Sequence, residues 1–207
     1  MCLADVVQFY NSSTEIISDK SIWHHRNSSN ANGMYILEGI QIVKEVGCTT
    51  EAGYLTYSSW LNQPSDLHKP QDLEIPSIPT FILKEEYGVI HSASALRVAL
   101  ACLGPCLLSL PCHKRRGKFW VPETNTNLWL SERSETTTPQ HHSVLVVGYK
   151  ENGFIIRNSW GTSWGKNGYG FISDADFEKH QQLCVYFWSD SKAEKNFISK
   201  KMLKKKQ

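Results

Sequence analysis

Nowhere in these 207 residues is there an apolar run long enough to cross a bilayer. The best candidate, Val98 to Leu110, is bounded by Arg97 and broken by Gly104 and Pro105, whereas a spanning helix needs about 20 consecutive apolar residues. The first residues, Met1-Cys2-Leu3-Ala4-Asp5, lack the basic segment and the long apolar core of a secretory signal. A bias toward disorder is missing too: hydrophobic residues at 41% and charged residues at 20% are globular values, so a packed core is expected everywhere but the C-terminal end. At 207 residues the chain has room for one domain or two small lobes. There is also little net charge. Residues 192–207 hold seven Lys and one Glu, a contribution of +6, so the remainder carries −4 by difference from the total of +2. A mildly acidic body gives no reason to expect a nucleic-acid partner. The tail, with Lys200, Lys201, Lys204, Lys205 and Lys206, can make weak contact with an anionic surface, although a solvated terminus accounts for it better.

Six cysteines, at 2, 48, 102, 106, 112 and 184, raise the question of metal or disulfides. Cys102, Cys106, Cys112 and His113 form a C-x3-C-x5-C-H cluster. Yet Gly104-Pro105 separates Cys102, on an apolar helix, from the others, and zinc sites more often pair closely spaced ligands across a knuckle. Buried thiols or a disulfide explain the cluster better than zinc, and no metal or other cofactor is expected. The count does not fix the redox compartment.

What the chain does have is a patterned C-terminal half. Val144 to Val147 is a continuous apolar run suited to a strand buried on both faces, and Phe154, Ile155 and Ile156 form a second. The polar connector Lys150 to Gly153 predicts a hairpin between them. Such a hairpin brings His142, just before the first strand, near Asn158, just after the second. A carboxamide accepting from one imidazole nitrogen fixes the ring and its tautomer, leaving the other nitrogen to work on a nucleophile. Trp160 is placed to shield that bond from water.

This pattern closely resembles the C-terminal half of the papain-like cysteine peptidases. His142-Ser143-Val144-Leu145-Val146-Val147-Gly148-Tyr149 is similar to the segment carrying that family's catalytic histidine. Ile155-Ile156-Arg157-Asn158-Ser159-Trp160-Gly161 is similar to the segment carrying its orienting Asn and covering Trp. Trp164-Gly165-Lys166-Asn167-Gly168-Tyr169-Gly170-Phe171 resembles the family's next strand, and Gly104-Pro105-Cys106 the start of its second lobe. His141 also precedes the strand, but its spacing to Val144 favours His142. The resemblance implies an α+β, papain-like fold with a partial helical left lobe and a β-rich right lobe. It also implies peptide-bond hydrolysis through a Cys-His-Asn site, with a peptide or protein as substrate.

One part of the family pattern is not found. The family's nucleophile lies in a Gln-x-Gly-x-Cys-Gly-Ser-Cys-Trp-like segment, roughly 130 to 150 residues before the histidine. Cys2 stands 140 residues before His142, so its separation fits, but it has neither a preceding glycine-rich turn nor a following aromatic. Leu3 to Asn11 resembles a stretch that follows the catalytic helix in some microbial members, a register that puts the nucleophile before Met1. The expectation is therefore that Cys2 lies away from His142, and that the His/Asn half is the evident part of the site. The alternative is a catalytically inactive relative that binds peptide or protein.

Along the rest of the chain, residues 3 to 11 predict a short helix and Ser12 to Asn32 a polar loop without repeats. Residues 33 to 46 predict a helix with Ile36, Ile40 and Val43 on one face, stopped by Gly47. The resemblance implies that Gly33 and Met34, at the head of this helix, lie in a cleft wall that receives an extended peptide; a plain helix-start glycine is the alternative. Pro64, Pro70, Pro76 and Pro79 mark an inter-lobe loop. Residues 81 to 90 should contain a strand, and Ser92 or Ser94 should cap a helix running to Leu103. Residues 115 to 139 read as a surface insertion. The predicted organisation is 1–80, helical lobe and connecting loop; 81–190, β-rich lobe with the His/Asn site; and 191–207, a basic tail. Asn11-Ser12-Ser13 and Asn27-Ser28-Ser29 are glycosylation triplets of a kind common by chance.

Overall fold

The computed structural model describes residues 2–26, 33–54, 81–112, 114–115, 118–119 and 140–189. The predicted inter-lobe proline loop, most of the surface insertion and the basic tail lie outside them. The chain divides into two compact units, one of Leu3–Lys84 and one of Glu85 onward, and Cys2 groups with the second.

In the first unit, helix α1 spans Cys2–Tyr10. The Asn11 side chain closes its C-terminal end by donating to the Val7 carbonyl at 3.0 Å. Helix α2, Asp19–His24, falls inside the stretch expected to be a polar loop. At six residues it is too short to display a helical period, and Ser21 and Ile22 are its buried positions. Helix α3, Ile36–Glu45, buries Gly39, Ile40, Ile42 and Val43. The amides of Val46 and Gly47 both donate to the Ile42 carbonyl, at 2.8 and 2.9 Å, and end the helix there. Single bridges, Ile17 with Thr50 and Cys48 with Phe81, tie the chain back on itself.

The second unit is built on six strands: β1 (Glu86–Val89), β2 (Cys106–Cys112), β5 (Gln140–Lys150), β6 (Gly153–Arg157), β7 (Tyr169–Ser173) and β8 (Leu183–Trp188). They form one antiparallel sheet in the order β1-β8-β2-β5-β6-β7. The short strands β3 (Lys114–Arg115) and β4 (Lys118–Phe119) pair separately. Helix α4, Ala93–Cys102, starts at Ser92, whose hydroxyl accepts from the Ala95 amide at 3.2 Å. Helix α5, Asp174–His180, uses Ser173 in the same way on Asp176 at 3.0 Å. Ala93, Leu96 and Ala99 of α4 and Phe177 of α5 pack with Leu108, Val144, Val146, Phe154, Ile156 and Ile172 of the sheet in one buried cluster. Full burial of a large apolar side chain of this kind contributes about 1.5–3 kcal/mol.

Two devices fix the β5–β6 hairpin. The first is Arg97 of α4: its Nη2 donates to the Lys150 and Glu151 carbonyls at 3.1 and 2.9 Å and to Asp174 Oδ2 at 2.9 Å. Its guanidinium also lies over the Phe154 ring, 4.9 Å from the centroid. The second is a bulge. Next to the turn Gly148 pairs with Ile155, but beyond it Val146 pairs with Ile156 and Leu145 with Arg157, so Val147 is an extra residue in β5. The apolar run Val144 to Val147 contains no sequence signal for this irregularity.

Candidate active site

Strand β5 begins at Gln140, so His142 stands within the strand rather than before it, paired with Leu110 of β2. Successive side chains of a strand alternate in face. His142 shares its parity with Val144 and Val146, which are fully buried, while its neighbour His141 is exposed. On β6 the buried row is Phe154 and Ile156, and Asn158 continues it past the strand end with only 5% of its surface exposed. Continuing the pairing beyond the bulge sets Asn158 opposite Val144, in the row that holds His142.

The two side chains meet. His142 Nε2 lies 2.8 Å from Asn158 Oδ1. The same oxygen accepts from the Ser159 backbone amide at 2.7 Å. The Trp160 ring lies over the imidazole at a centroid distance of 4.5 Å and a tilt of 30°. Trp164, buried, meets Trp160 edge-on at 6.2 Å. The loop bearing these groups is tied down by its own backbone: the Asn158 amide donates to the Gly168 carbonyl at 2.9 Å, and the Gly168 amide to that of Trp164 at 2.8 Å. Burial holds the imidazole below its ordinary value of 6.5, and the bond to Asn158 opposes that shift by favouring the protonated ring.

Cys2 is not remote, which corrects the expectation drawn from its neighbours. Its Sγ donates to the Ser143 carbonyl at 3.3 Å, one residue from His142, and the residue is buried. Its flanking residues did not indicate this contact, which spans 141 positions in sequence. Gly33 and Met34 belong to the first unit, whereas His142, Asn158 and Trp160 belong to the second. Gly33 is exposed, and the Met34 methyl folds toward α3, 3.1 Å from where a Cβ on Gly39 would sit.

The thiols of Cys48 and Cys106 donate to the Phe81 and Gly104 carbonyls at 3.6 and 3.7 Å, away from the imidazole in sequence. Burial pushes those of Cys48 and Cys106 up to about 12 and that of Cys184 well above the ordinary range. Cys106 lies on β2 and Cys102 ends α4, so they sit on separate elements. The side chains of Cys112 and His113 fall outside the described residues, among which no group of three or more His, Cys, Asp or Glu is arranged to hold a metal. The Ser159 amide was the contributor that sequence reasoning missed; a backbone donor leaves no trace in residue type.

Residues 4–185 match the family described as papain family cysteine protease. Among curated relatives, Peptidase 1 of Dermatophagoides pteronyssinus is 41% identical over 46 residues, 20% of this chain and 14% of that protein. Digestive cysteine proteinase 1 of Homarus americanus is 33% identical over 82 residues, 38% of this chain and 24% of that protein. Cathepsin K of Mus musculus is 32% identical over 88 residues, 41% of this chain and 25% of that protein. The chain thus matches a quarter or less of the length of these relatives. Among solved structures, xylellain, a cysteine protease from Xylella fastidiosa, superposes with a TM-score of 0.67 at 19% identity, covering 91% of this chain and 77% of that one. The Carica candamarcensis cysteine protease CMS1MS2 superposes at 0.62 with 18% identity, covering 89% and 82%. At these identities the structural likeness establishes the fold, α+β and papain-like.

Proposed function

The chain belongs to the papain family of cysteine proteases, and from that premise we propose that His142 and Asn158 form the acid–base half of a cysteine-type peptidase site that hydrolyses peptide bonds. The observation that carries the proposal is the 2.8 Å contact between His142 Nε2 and Asn158 Oδ1 under the Trp160 ring. In this reading Nδ1 takes the proton of a thiol, the thiolate attacks the peptide carbonyl, and the imidazolium returns the proton to the leaving amine, giving an acyl-enzyme that water then clears. Asn158 holds the ring through the cycle and Trp160 keeps water from the bond between them. Gly33 and Met34 are proposed to receive the extended substrate. Possible sources of the thiol are Cys2 and a cysteine in a segment preceding α1.

A second reading, a peptide-binding relative without turnover, is favoured by one observation: the Cys2 thiol donates to the Ser143 carbonyl at 3.3 Å. A thiolate so close to a carbonyl oxygen is repelled, so that contact favours the unreactive, protonated form. The test is turnover of a broad peptide library, with and without a thiol-alkylating inhibitor. It is run on this chain, on the chain extended by its upstream coding sequence, and on Cys2→Ser and His142→Ala variants. Inhibitor-sensitive turnover lost in both variants assigns Cys2. Turnover gained only on extension, and lost in His142→Ala, assigns a preceding cysteine. Peptide binding without turnover in every form supports the second reading, and turnover indifferent to His142→Ala overturns the assignment of the imidazole.

A further inference from the structure

We infer that the backbone amide of Ser159 selects the tautomer of His142, by forcing Asn158 to present its oxygen rather than its nitrogen to the imidazole. The inference rests on the reading of His142 as the base and adds the group that makes Nδ1 its basic atom.

A carboxamide has two ends of nearly equal size, one accepting and one donating, and nothing in an isolated Asn–His pair decides which end meets the ring. With the oxygen inward, Nε2 carries the hydrogen and Nδ1 keeps its lone pair. With the NH2 inward, Nε2 must accept, the hydrogen moves to Nδ1, and the nitrogen on the other side of the ring can no longer take a proton. The choice of amide face is therefore a choice between a competent base and an incompetent one.

Here the choice is made by a neighbour without freedom. The Ser159 amide nitrogen has one hydrogen and no lone pair to offer, and it lies 2.7 Å from the oxygen that also lies 2.8 Å from Nε2. Turning the amide over would set its NH2 against the Ser159 N–H, two donors facing each other with no room for water, since Asn158 is 5% exposed. The retained orientation has a visible cost. Asn158 Nδ2 is buried and has no hydrogen-bond partner among the described residues. The orientation is imposed from the backbone, and because Ser159 follows Asn158 directly in sequence, the constraint is local to the turn. It does not depend on what fills the rest of the site.

The test is long-range 1H–15N NMR on the uniformly 15N-labelled chain, which distinguishes a protonated from an unprotonated ring nitrogen without any need for turnover. Above its titration, His142 should show a single tautomer with hydrogen on Nε2, and Ser159→Ala, which keeps the amide, should leave it unchanged. Ser159→Pro, which removes the N–H, should give a mixture of tautomers or the Nδ1–H form. Asn158→Asp in that background should restore the Nε2–H form, because a carboxylate has no donating face. A His142 in the Nδ1–H form in the unmodified chain overturns the inference even if Ser159→Pro does not fold, and so does an unchanged single tautomer in a folded Ser159→Pro. An inert protein with the Nε2–H tautomer would count against peptidase function while leaving this inference standing.

Discussion

Two glycines in the loop that carries Asn158 and Trp160 have similar backbones but different surroundings, and comparing their alanine variants measures how tightly that loop is held. Gly161 has φ +83° and Gly165 φ +57°. Placing an L side chain in this left-handed region costs about 1–2 kcal/mol. At Gly161 a Cβ would meet nothing within 4 Å, so Gly161→Ala should show the backbone cost alone. At Gly165 a Cβ would collide with the Tyr169 carbonyl oxygen and lie 3.1 Å from its carbon. That oxygen accepts from the Lys166 amide at 2.8 Å, and the Gly168 amide donates to Trp164 at 2.8 Å in the same turn. Displacing the turn sacrifices both bonds at about 1 kcal/mol each, bringing the loss for Gly165→Ala to about 3–4 kcal/mol. For a chain of this size 1 kcal/mol lowers the melting temperature by roughly 2–4 °C, so Gly165→Ala should melt roughly 6–16 °C lower and Gly161→Ala roughly 2–8 °C lower. The assay is thermal unfolding followed by near-ultraviolet circular dichroism and by the fluorescence of the seven tryptophans, Trp160 and Trp164 among them. Equal losses for the two variants, or a larger loss at Gly161, would refute the claim that the Tyr169 carbonyl contact holds this loop.

Further outcomes concern protonation and thiol access. Because burial lowers the His142 value below 6.5, the unfolded chain binds more protons than the folded one between the folded value and 6.5. Stability should therefore fall as the pH falls through that window and level off below it. Urea unfolding at a series of pH values checks this, and an equal acid dependence in His142→Gln would exclude His142 as its source. The thiols of Cys48, Cys106 and Cys184, buried and held protonated, should resist alkylation in the folded protein at mildly alkaline pH and react only on unfolding, with Cys102, partly exposed, labelled first. Mass spectrometry of the labelled peptides decides it, and labelling of Cys106 before Cys102 would contradict the burial of β2.

The sequence was most legible where hydrophobic pattern and turn chemistry agreed. The runs at Val144 and Phe154 announced β5 and β6, Ser92 announced the start of α4, and His142 and Asn158 were recognisable from their place at the ends of those runs. Helix α2 was not legible, because six residues with one buried apolar position, Ile22, carry no period. Helix α5 escaped for a similar reason, with Phe177 its only buried residue. Cys2 was misjudged because its neighbours in sequence were weighed, whereas its contact with Ser143 spans 141 positions. The Ser159 amide and the extra residue at Val147 are properties of the backbone, to which residue identity is nearly indifferent.

That extra residue makes the length of the hairpin part of its chemistry. Fifteen residues separate His142 from Asn158, and with Val147 bulged out the two side chains fall on one side of the ribbon. A regular ladder through the same turn would set Leu145 opposite Asn158 and turn the imidazole to the other side. The arrangement behaves like a parity check: with the bulge kept, inserting or deleting one residue in either arm swaps sides, whereas two changes of the same kind cancel. Loss of Val147 would leave Val146 opposite Ile156 and so keep the imidazole beside its carboxamide, whereas loss of one residue from β6 between Phe154 and Arg157, with the bulge retained, would move them to opposite sides although every residue of the site were still present. Selection acting on this segment has to count residues as well as choose them.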